Sequence, residues 1–213
     1  MWDFPRYEDI HTMTIHIFGG GTVQHVRNHM ALCAPAYGQT ARHLFELLGP
    51  DVARLHLTRM ADYQSSMETN EDVAARLHDV LADPTTRAVV FNVALCDYAG
   101  QIGEIPSGKY AQRLSSREGA LALSLTPTPK LLKLVKASRP DVTLVGFKTT
   151  AGGSSDAQLK ASVRQLEETG ADVVFANDTV TRNNMLVMPT GLRSGSRETM
   201  LASLLTYLRM ICE

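Results

Sequence analysis

The amino-acid sequence predicts an α/β protein in which helices cover a mainly parallel, doubly wound sheet. Three observations support this prediction. Strand-like and helix-like segments alternate along the chain, several strand-like segments are apolar on both faces, and glycine or polar residues follow the ends of the strands. A chain of 213 residues suits one large α/β domain, so we expect a single domain over residues 1–213.

The first half of the chain is expected to alternate between strands and helices. The predicted elements, in the order strand, helix, strand, helix and strand, are MTIHIF (13–18), QTARHLFELLGP (39–50), VARLHLT (52–58), NEDVAARLHDVLADP (70–84) and RAVVFNVAL (87–95). Thr40 and Asn70 have the side chains of helix N-caps, and Gly49 is a typical stop. The last strand is nearly all apolar, which indicates burial on both faces.

The second half begins with a polar, glycine-rich stretch that is too long for an ordinary connection, so residues 97–120 are expected to form a flap or hairpin. The elements predicted after it are ALALSLT (120–126), PTPKLLKLVKASRP (127–140), DVTLVGF (141–147), SDAQLKASVRQLEETG (155–170), ADVVFAND (171–178), NMLVMP (184–189) as an edge strand, and SRETMLASLLTYLRMIC (196–212). We expect a sheet of about five or six strands.

Three of these segments carry further expectations. The helix over 155–170 would carry Leu159, Val163 and Leu166 on one face and end at Gly170, and Ser196 would cap the last helix. The Met and Leu stripe of that last helix is typical of a core or a dimer contact.

The composition favours a small-molecule partner. The chain has 21 Lys and Arg against 22 Asp and Glu, so no global field attracts nucleic acid or an anionic membrane. Its three cysteines lie too far apart for a CxxC pair, and their odd number argues against a disulfide framework, as expected in the cytoplasm. No apolar run has membrane-spanning length, and residues 1–12 contain no signal-peptide core.

The predicted strand ends carry residues that could bind a ligand. In doubly wound sheets, ligands sit beyond the carboxyl ends of the strands, so these residues are expected to converge in one crevice. They are Gly19, Gly20, Gly21 and Thr22 after the first strand, Asp97 after the central one, and Asn177 with Asp178 after VVFA. Glycine amides at a helix start can bind phosphate, although a tight turn without a ligand explains a glycine triplet equally well. Asp97 could position a base or a metal, or merely cap its loop.

Six segments in order resemble the phosphopantothenoylcysteine synthetase family, also called phosphopantothenate–cysteine ligase. They are GGT, a VR pair, VALCDY, LALSLTPTPKLL, VGFK and VVFAND, and the resemblance covers roughly residues 13–190. It implies a Rossmann-like sheet with a flap over a nucleotide crevice and a homodimer. It also implies a ligase of coenzyme A biosynthesis that joins cysteine to 4'-phosphopantothenate with CTP or ATP and Mg²⁺.

The resemblance also implies site residues. Asp97 matches an aspartate that contacts the nucleotide, Arg113 matches the cation of the flap with Lys109 as a competing candidate, and Asn177 matches the VAND asparagine. Other positions implied at the nucleotide are Asn92, Val93, Pro129, Lys130, Leu131 and Phe147. Attack of a carboxylate on an α-phosphoryl group needs positive charge, which Arg113, Lys109, Lys130 and Lys148 can supply.

One loop departs from the family pattern. Family members carry an asparagine and a serine, glycine and basic loop after the VR pair, whereas this chain has VRNHMALCAPAYGQ. Ala31 falls where the asparagine would lie, and Asn28 could replace it only on a different chain path. Arg164 is the nearest cation to two lysines that are missing before VVFAND. A nucleotide-binding or scaffold protein that has lost catalysis therefore remains an alternative.

Other site classes have less support. A nicotinamide-dependent reductase is disfavoured because the first turn lacks GxGxxG spacing and no acid follows the second strand. Seven histidines occur without a zinc-ligand spacing, so no metal ligands are assigned, and His25 and His29 are expected at most at the pocket border. Cys33 could be a nucleophile near a helix start, but a small buried residue is the simpler interpretation.

Overall fold

The computed structural model describes residues 13–212, except for the side chain of Glu118. Its elements are β1 (Thr14–Gly21), β2 (Val23–Arg27), β3 (Met30–Cys33), α1 (Gln39–Leu48), β4 (Ala53–Leu57), α2 (Asn70–Ala82), β5 (Thr86–Ala94), β6 (Tyr98–Gln101), a 3₁₀ turn (Ser116–Glu118), β7 (Ser124–Pro127), α3 (Leu132–Ser138), β8 (Thr143–Thr150), α4 (Ser155–Thr169), β9 (Val173–Asp178), β10 (Asn184–Met188), β11 (Gly191–Gly195) and α5 (Arg197–Met210). The expectation about residues 1–12 falls outside the described residues.

Seven strands form one sheet in the order β11-β10-β9-β8-β5-β1-β4. Pairing is parallel from β4 through β1, β5 and β8 to β9, and antiparallel for β10 and β11. The order reverses between β1 and β5, because the chain first goes from β1 to β4 on one side and then returns to β5 on the other. The predicted α/β, Rossmann-like, doubly wound fold class is confirmed.

Two expectations about this sheet are wrong. It has seven strands instead of five or six, and the segment 184–189 is not an edge strand because β11 pairs with β10. The sequence GLRSG of β11 is exposed at every position, so it carries no alternating apolar pattern from which a strand could be predicted.

Helices cover both faces of the sheet. Ile15, Ile17 and Val90 pack against α1 and α5 on one face, whereas Phe18 and Phe91 pack against α2 and α3 on the other. The apolar stripe of the last helix lies in the first of these cores, as expected for a core helix. Within the described part of the chain, no helix combines the length and apolarity needed to cross a bilayer.

The helix ends correct two of the cap predictions. Gly38, with a left-handed backbone at φ 71°, is the N-cap of α1, and Thr40 lies inside its first turn. Thr69 caps α2 in a capping box with Asp72, so Asn70 is the first helical residue and is buried. The other cap predictions are confirmed: Ser196 caps α5, and Gly49 and Gly170 end α1 and α4.

The apolar stripe predicted for α4 is confirmed in part, because Leu159 and Leu166 are half-buried against the core on the α2 and α3 face. The buried residues of this helix are Gln158, Ser162 and Thr169, whereas the Val163 side chain is 36% exposed. Gln158 can be buried because its amide exchanges hydrogen bonds with Asn183, as donor to the backbone carbonyl at 3.2 Å and as acceptor from Nδ2 at 2.8 Å.

Two antiparallel hairpins stand apart from the main sheet. One pairs β2 with β3, and the other pairs β6 with β7 at the base of residues 98–127, which we call the ribbon. The predicted strand over 120–126 forms only at its end, and its residues there are exposed. Arg27 of β2 is 1% exposed and donates to the carbonyl of Ile102, which joins the two hairpins.

A pair of histidines is packed between β1 and β4. His16 Nδ1 and His56 Nε2 lie 2.9 Å apart in a hydrogen bond that requires a donor and an acceptor, and the His56 ring stacks on Phe18. Burial, followed by the charge of His16, lowers the pKa of His56 from 6.5 to about 4, and burial also lowers the pKa of His16. Both rings are therefore neutral in the folded protein at pH 7.

This pair predicts that the protein loses stability as the pH falls. The unfolded chain binds protons near pH 6.5, whereas the folded histidines bind them only at lower pH. The contribution of the neutral pair to the free energy of unfolding is therefore fully present above pH 6.5. It falls on acidification, by about 1 to 2 kcal/mol between pH 7 and pH 5. Urea unfolding at both pH values measures the loss, which should be smaller in His56→Gln. The exposed His78→Gln serves as control, and an equal loss in all three proteins would contradict the prediction.

Candidate functional site

A cavity of about 850 Å³ lies at the carboxyl edge of the sheet. The ends of β5, β8 and β9 form its centre. The loop 34–38 and the starts of α1 and α5 form one side, and residues at the start of α3 together with one face of α4 form the other. Doubly wound sheets bind ligands outside the carboxyl ends of their strands, near the reversal of strand order. This cavity is therefore the candidate functional site.

Five of the predicted binding residues line the centre of the cavity at the strand ends, namely Asn92, Val93, Phe147, Lys148 and Asn177. The Phe147 ring stacks on Phe175 with the ring centroids 5.2 Å apart. The side-chain oxygen of Asn177 accepts a hydrogen bond from Thr149 at 3.2 Å. The site thus offers an aromatic surface, amide groups and a cation side by side, although binding by these residues stays a prediction.

Asp97 and Lys130 form an ion pair at the cavity rim. Lys130 Nζ donates to the Asp97 carboxylate, and both side chains are more than half exposed. The backbone around Asp97 is held by Thr128, whose N–H donates to the Asp97 carbonyl at 2.9 Å and whose hydroxyl donates to the Cys96 carbonyl at 2.7 Å. An exposed pair of this kind is weak, so either charge can turn to a ligand. The predicted residue Leu131 also lines the cavity, whereas Pro129 does not.

Gly19, Gly20, Gly21 and Thr22 do not line this cavity, and phosphate binding by them stays a prediction. These residues are buried under their own chain. A Cβ on Gly19 would overlap the side chain of Ala41, and one on Gly21 would overlap the carbonyl oxygen of Ala34. The glycines allow the loop 34–38 and α1 to pass close to the end of β1.

Thr22 instead belongs to a buried hydrogen-bond cluster with Asn70 and Cys96. The Thr22 hydroxyl donates to Asn70 Oδ1 at 2.7 Å and accepts from the Cys96 N–H at 2.9 Å, and Asn70 Nδ2 donates to the Cys96 carbonyl at 2.8 Å. The cluster joins the end of β1, the start of α2 and the residue before Asp97. The cluster thereby fixes the backbone directly before Asp97.

The loop that departs from the family pattern contributes few polar side chains to the cavity. Ala31 lies in β3 opposite His25, outside the cavity lining, and Asn28 donates from its backbone N–H to Ala111 in the ribbon. Ala34 through Gly38 do line the cavity, with Tyr37 as their only hydroxyl. Cys33 is exposed in β3 outside the lining, so the expectation that it is buried is wrong.

The two cations expected from the flap lie elsewhere. Among the described residues, none between 98 and 127 lines the cavity, so Lys109, Arg113 and the flap do not cover it. Lys109 instead pairs with Glu68 in a second cavity of about 680 Å³, which His25 and Arg59 also line. The hydrogen bond from Lys109 lowers the pKa of the Glu68 carboxyl.

Several cations of the cavity come from segments with no recognisable ligand motif. Lys133 lies in the first turn of α3, Arg164 lies on α4, and Arg197 begins α5. Together with Lys130 and Lys148 they make five cations, against the two carboxylates of Asp97 and Glu168. The site therefore favours an anionic ligand. Within residues 13–212, no group of three or more metal-ligating side chains is placed to hold a metal ion.

The fold and the site together define a doubly wound α/β protein with a cavity lined by five cations at the carboxyl edge of its sheet. Residues 53–191 match the family described as the DNA/pantothenate metabolism flavoprotein C-terminal domain, and the chain belongs to this family. The match begins at β4, so the hairpin β2–β3 and the loop 34–38 lie outside it.

Individual relatives agree with the family. The chain is 32% identical over 114 residues to the coenzyme A biosynthesis bifunctional protein CoaBC of Thermococcus kodakarensis, covering 54% of this chain and 27% of that protein. The chain thus spans about a quarter of that relative.

Two solved structures share the fold. The DNA/pantothenate metabolism flavoprotein of Streptococcus pneumoniae has a TM-score of 0.76 at 18% identity, over 93% of this chain and 99% of that one. A Cab2 mutant in complex with phosphopantothenate-cysteine has a TM-score of 0.60 at 14% identity, over 92% of this chain and 87% of that one.

The Lys109–Glu68 contact predicts that Glu68 holds the ribbon in place. In Glu68→Gln the ion pair is lost, so the backbone around residues 105–112 should exchange its amide hydrogens faster than in the unaltered protein. Hydrogen–deuterium exchange followed by mass spectrometry measures this rate. Glu71→Gln, which removes another acid from the same cavity, is the control, and an unchanged rate in Glu68→Gln would show that the ribbon is held without the pair.

Proposed function

We propose that the protein is a ligase of the phosphopantothenate–cysteine type that activates a carboxylate with CTP or ATP and joins it to cysteine or a related amine. The observation that carries this proposal is the cavity with five cations at the carboxyl edge of the sheet, in a member of this family. Both the nucleotide and a phosphorylated acid are anions, so the charge balance of the cavity fits the two substrates together.

The proposed reaction has two steps. A carboxylate oxygen of the acid attacks the α-phosphorus, and the bond from that phosphorus to the pyrophosphate oxygen breaks, which leaves an acyl nucleotide. The amine then attacks the acyl carbon, expels the nucleoside monophosphate and loses a proton. Both transition states carry negative charge on phosphoryl or acyl oxygens, and cations such as Lys130, Lys148 and Arg164 can stabilise this charge.

The strand ends suit the base and sugar of a nucleotide. Asn92 and Asn177 have amide groups that can hydrogen-bond to a base edge or to hydroxyls, and Phe147 presents a ring for stacking. Magnesium usually binds through one or two carboxylates and the substrate phosphates. Asp97 is the carboxylate at the rim that would hold the ion with the nucleotide, where it would neutralise phosphate charge.

Other properties belong to the same proposal. The ribbon exposes Ile105, Leu121, Leu123 and Leu125, an apolar surface that supports a homodimer of this protein. Cys33, Cys96 and Cys212 are free thiols, which supports a cytoplasmic location.

One observation favours a second candidate function. Neither a basic side chain nor an asparagine projects from the loop 34–38, and Ala31 lies away from the cavity. A protein with this loop could bind the nucleotide without forming an amide. Turnover separates this candidate from the ligase.

The proposal predicts amide formation that depends on the rim ion pair. Incubation with Mg²⁺, 4'-phosphopantothenate, cysteine and CTP or ATP should yield amide and nucleoside monophosphate, detected by mass spectrometry. Asp97→Asn and Lys130→Gln should each lower kcat/KM about 10-fold to 100-fold, because each removes a charge that contacts the phosphates or their metal.

The control for this experiment is the exposed pair of Asp156 and Lys160 on α4, which lies outside the cavity. Asp156→Asn and Lys160→Gln should leave turnover unchanged. Nucleotide binding without amide product would instead support the second candidate, and the absence of both would refute the two candidates together.

A further inference from the structure

The cavity has cations on both sides of the sheet edge. Lys130, Lys133 and Arg164 belong to the side formed by α3 and α4. Arg197, at the start of α5, stands on the opposite side beside α1. The strand ends with Asn92 and Phe147 lie between the two sides. The two groups of cations can therefore hold two separate anionic groups.

Arg197 is held in a defined position. Its Nη2 donates to the hydroxyl of Thr40 at 2.6 Å, and its guanidinium carbon lies 5.6 Å from the centre of the Phe175 ring. The hydroxyl of Ser196 caps the helix that carries it by accepting from the N–H of Thr199 at 3.1 Å. A guanidinium fixed by stacking and one hydrogen bond loses little freedom when it binds an anion.

Arg197 interacts electrostatically with the exposed carboxylate of the adjacent Glu198, whose pKa lies below its usual range chiefly through a backbone hydrogen bond, but Glu198 does not line the cavity. Among the described residues, no carboxylate forms an ion pair with Arg197, and the two acids that line the cavity, Asp97 and Glu168, belong to the side of α3 and α4. A guanidinium has five N–H donors, of which the bond to Thr40 uses one. The remaining donors can form the two parallel bonds by which arginine recognises phosphate or carboxylate.

Arg197 is the principal positive charge on the side of the cavity formed by the loop 34–38, α1 and α5. Residues 34–38 have the sequence APAYG and contain no cation, and the N-cap of α1 is a glycine without a side chain. Arg197 lies 157 positions after Thr40 in the sequence. It provides the positive charge that the loop itself does not have.

We propose that Arg197 is a specificity-determining residue that binds the phosphate of the acid substrate, while the cations of the α3 and α4 side bind the nucleotide. This assignment rests on the proposed ligase function. It places the acid's phosphate beside α1 and its carboxylate at the strand ends, where the α-phosphoryl group of the nucleotide would meet it. Arg197 thereby distinguishes a phosphorylated acid from the same acid without its phosphate.

Calorimetric binding measurements test this assignment without turnover. The probes are 4'-phosphopantothenate, pantothenate and the magnesium complexes of CTP and ATP. In Arg197→Gln, the affinity for 4'-phosphopantothenate should fall about 10-fold to 100-fold, the loss typical of a charged hydrogen-bonded contact. Affinity for pantothenate and for the nucleotide should stay unchanged, and Arg197→Lys should recover part of the loss because it keeps the charge.

The matched control is Arg209→Gln, which removes an arginine from the same helix about 18 Å further along its axis. It should bind every probe as the unaltered protein does. Equal binding of 4'-phosphopantothenate by Arg197→Gln and the unaltered protein would overturn the inference and leave the proposed function standing. An equal loss of nucleotide binding in Arg197→Gln would move Arg197 to the nucleotide side and also overturn it.

The remaining outcomes separate the inference from the proposed function. If the unaltered protein binds no 4'-phosphopantothenate, both fail together. If Arg197→Gln shows the selective loss of affinity but the unaltered protein forms no amide, the inference stands as a binding site and the ligase function fails.

Discussion

The close approach of the chain to the end of β1 is the constraint on which the site depends. Because Gly19 and Gly21 have no side chain, the loop 34–38 and the start of α1 can lie directly against the strand. This contact places one wall of the cavity beside the strand ends and brings Thr40 within reach of Arg197. The glycine triplet thus allows neighbouring segments of the same chain to pack against the end of β1.

A second constraint acts from within the core. The hydrogen bonds among Thr22, Asn70 and Cys96 are buried, so losing any partner would leave a polar group unsatisfied at a cost of about 1 to 3 kcal/mol. They fix the turn after β5, from which Asp97 extends to its weak, exposed contact with Lys130. The site thus combines a rigid backbone with mobile charges, which suits ligands whose charge changes during a reaction.

The sequence alone was sufficient for the fold class and for part of the site. Apolar strands followed by polar ends predicted the doubly wound sheet and the positions of Asp97 and Asn177 at its edge, and the family resemblance implied Asn92 and Phe147 there. The sequence left two interpretations of the glycines open, because a close approach of backbone and a phosphate loop need the same residue. Arg197 and β11 could not be predicted, since their places depend on contacts between distant segments and not on a local pattern, whereas Arg164 was noted only as the nearest cation to two missing lysines. The place of Lys109 in the second cavity could not be read from the sequence, because an ion pair with Glu68 across 41 positions holds it there.

The proposed nucleotide site is the cavity at the carboxyl edge of the main sheet, and mapping the binding site by hydrogen–deuterium exchange tests this assignment most directly. The protein is compared with and without the magnesium complexes of CTP and ATP. Slower exchange in peptides that cover residues 92–97, 130–133 and 147–149 is the result that this assignment requires. Slower exchange confined to residues 59–72 and 108–109 would place the ligand in the second cavity and contradict it.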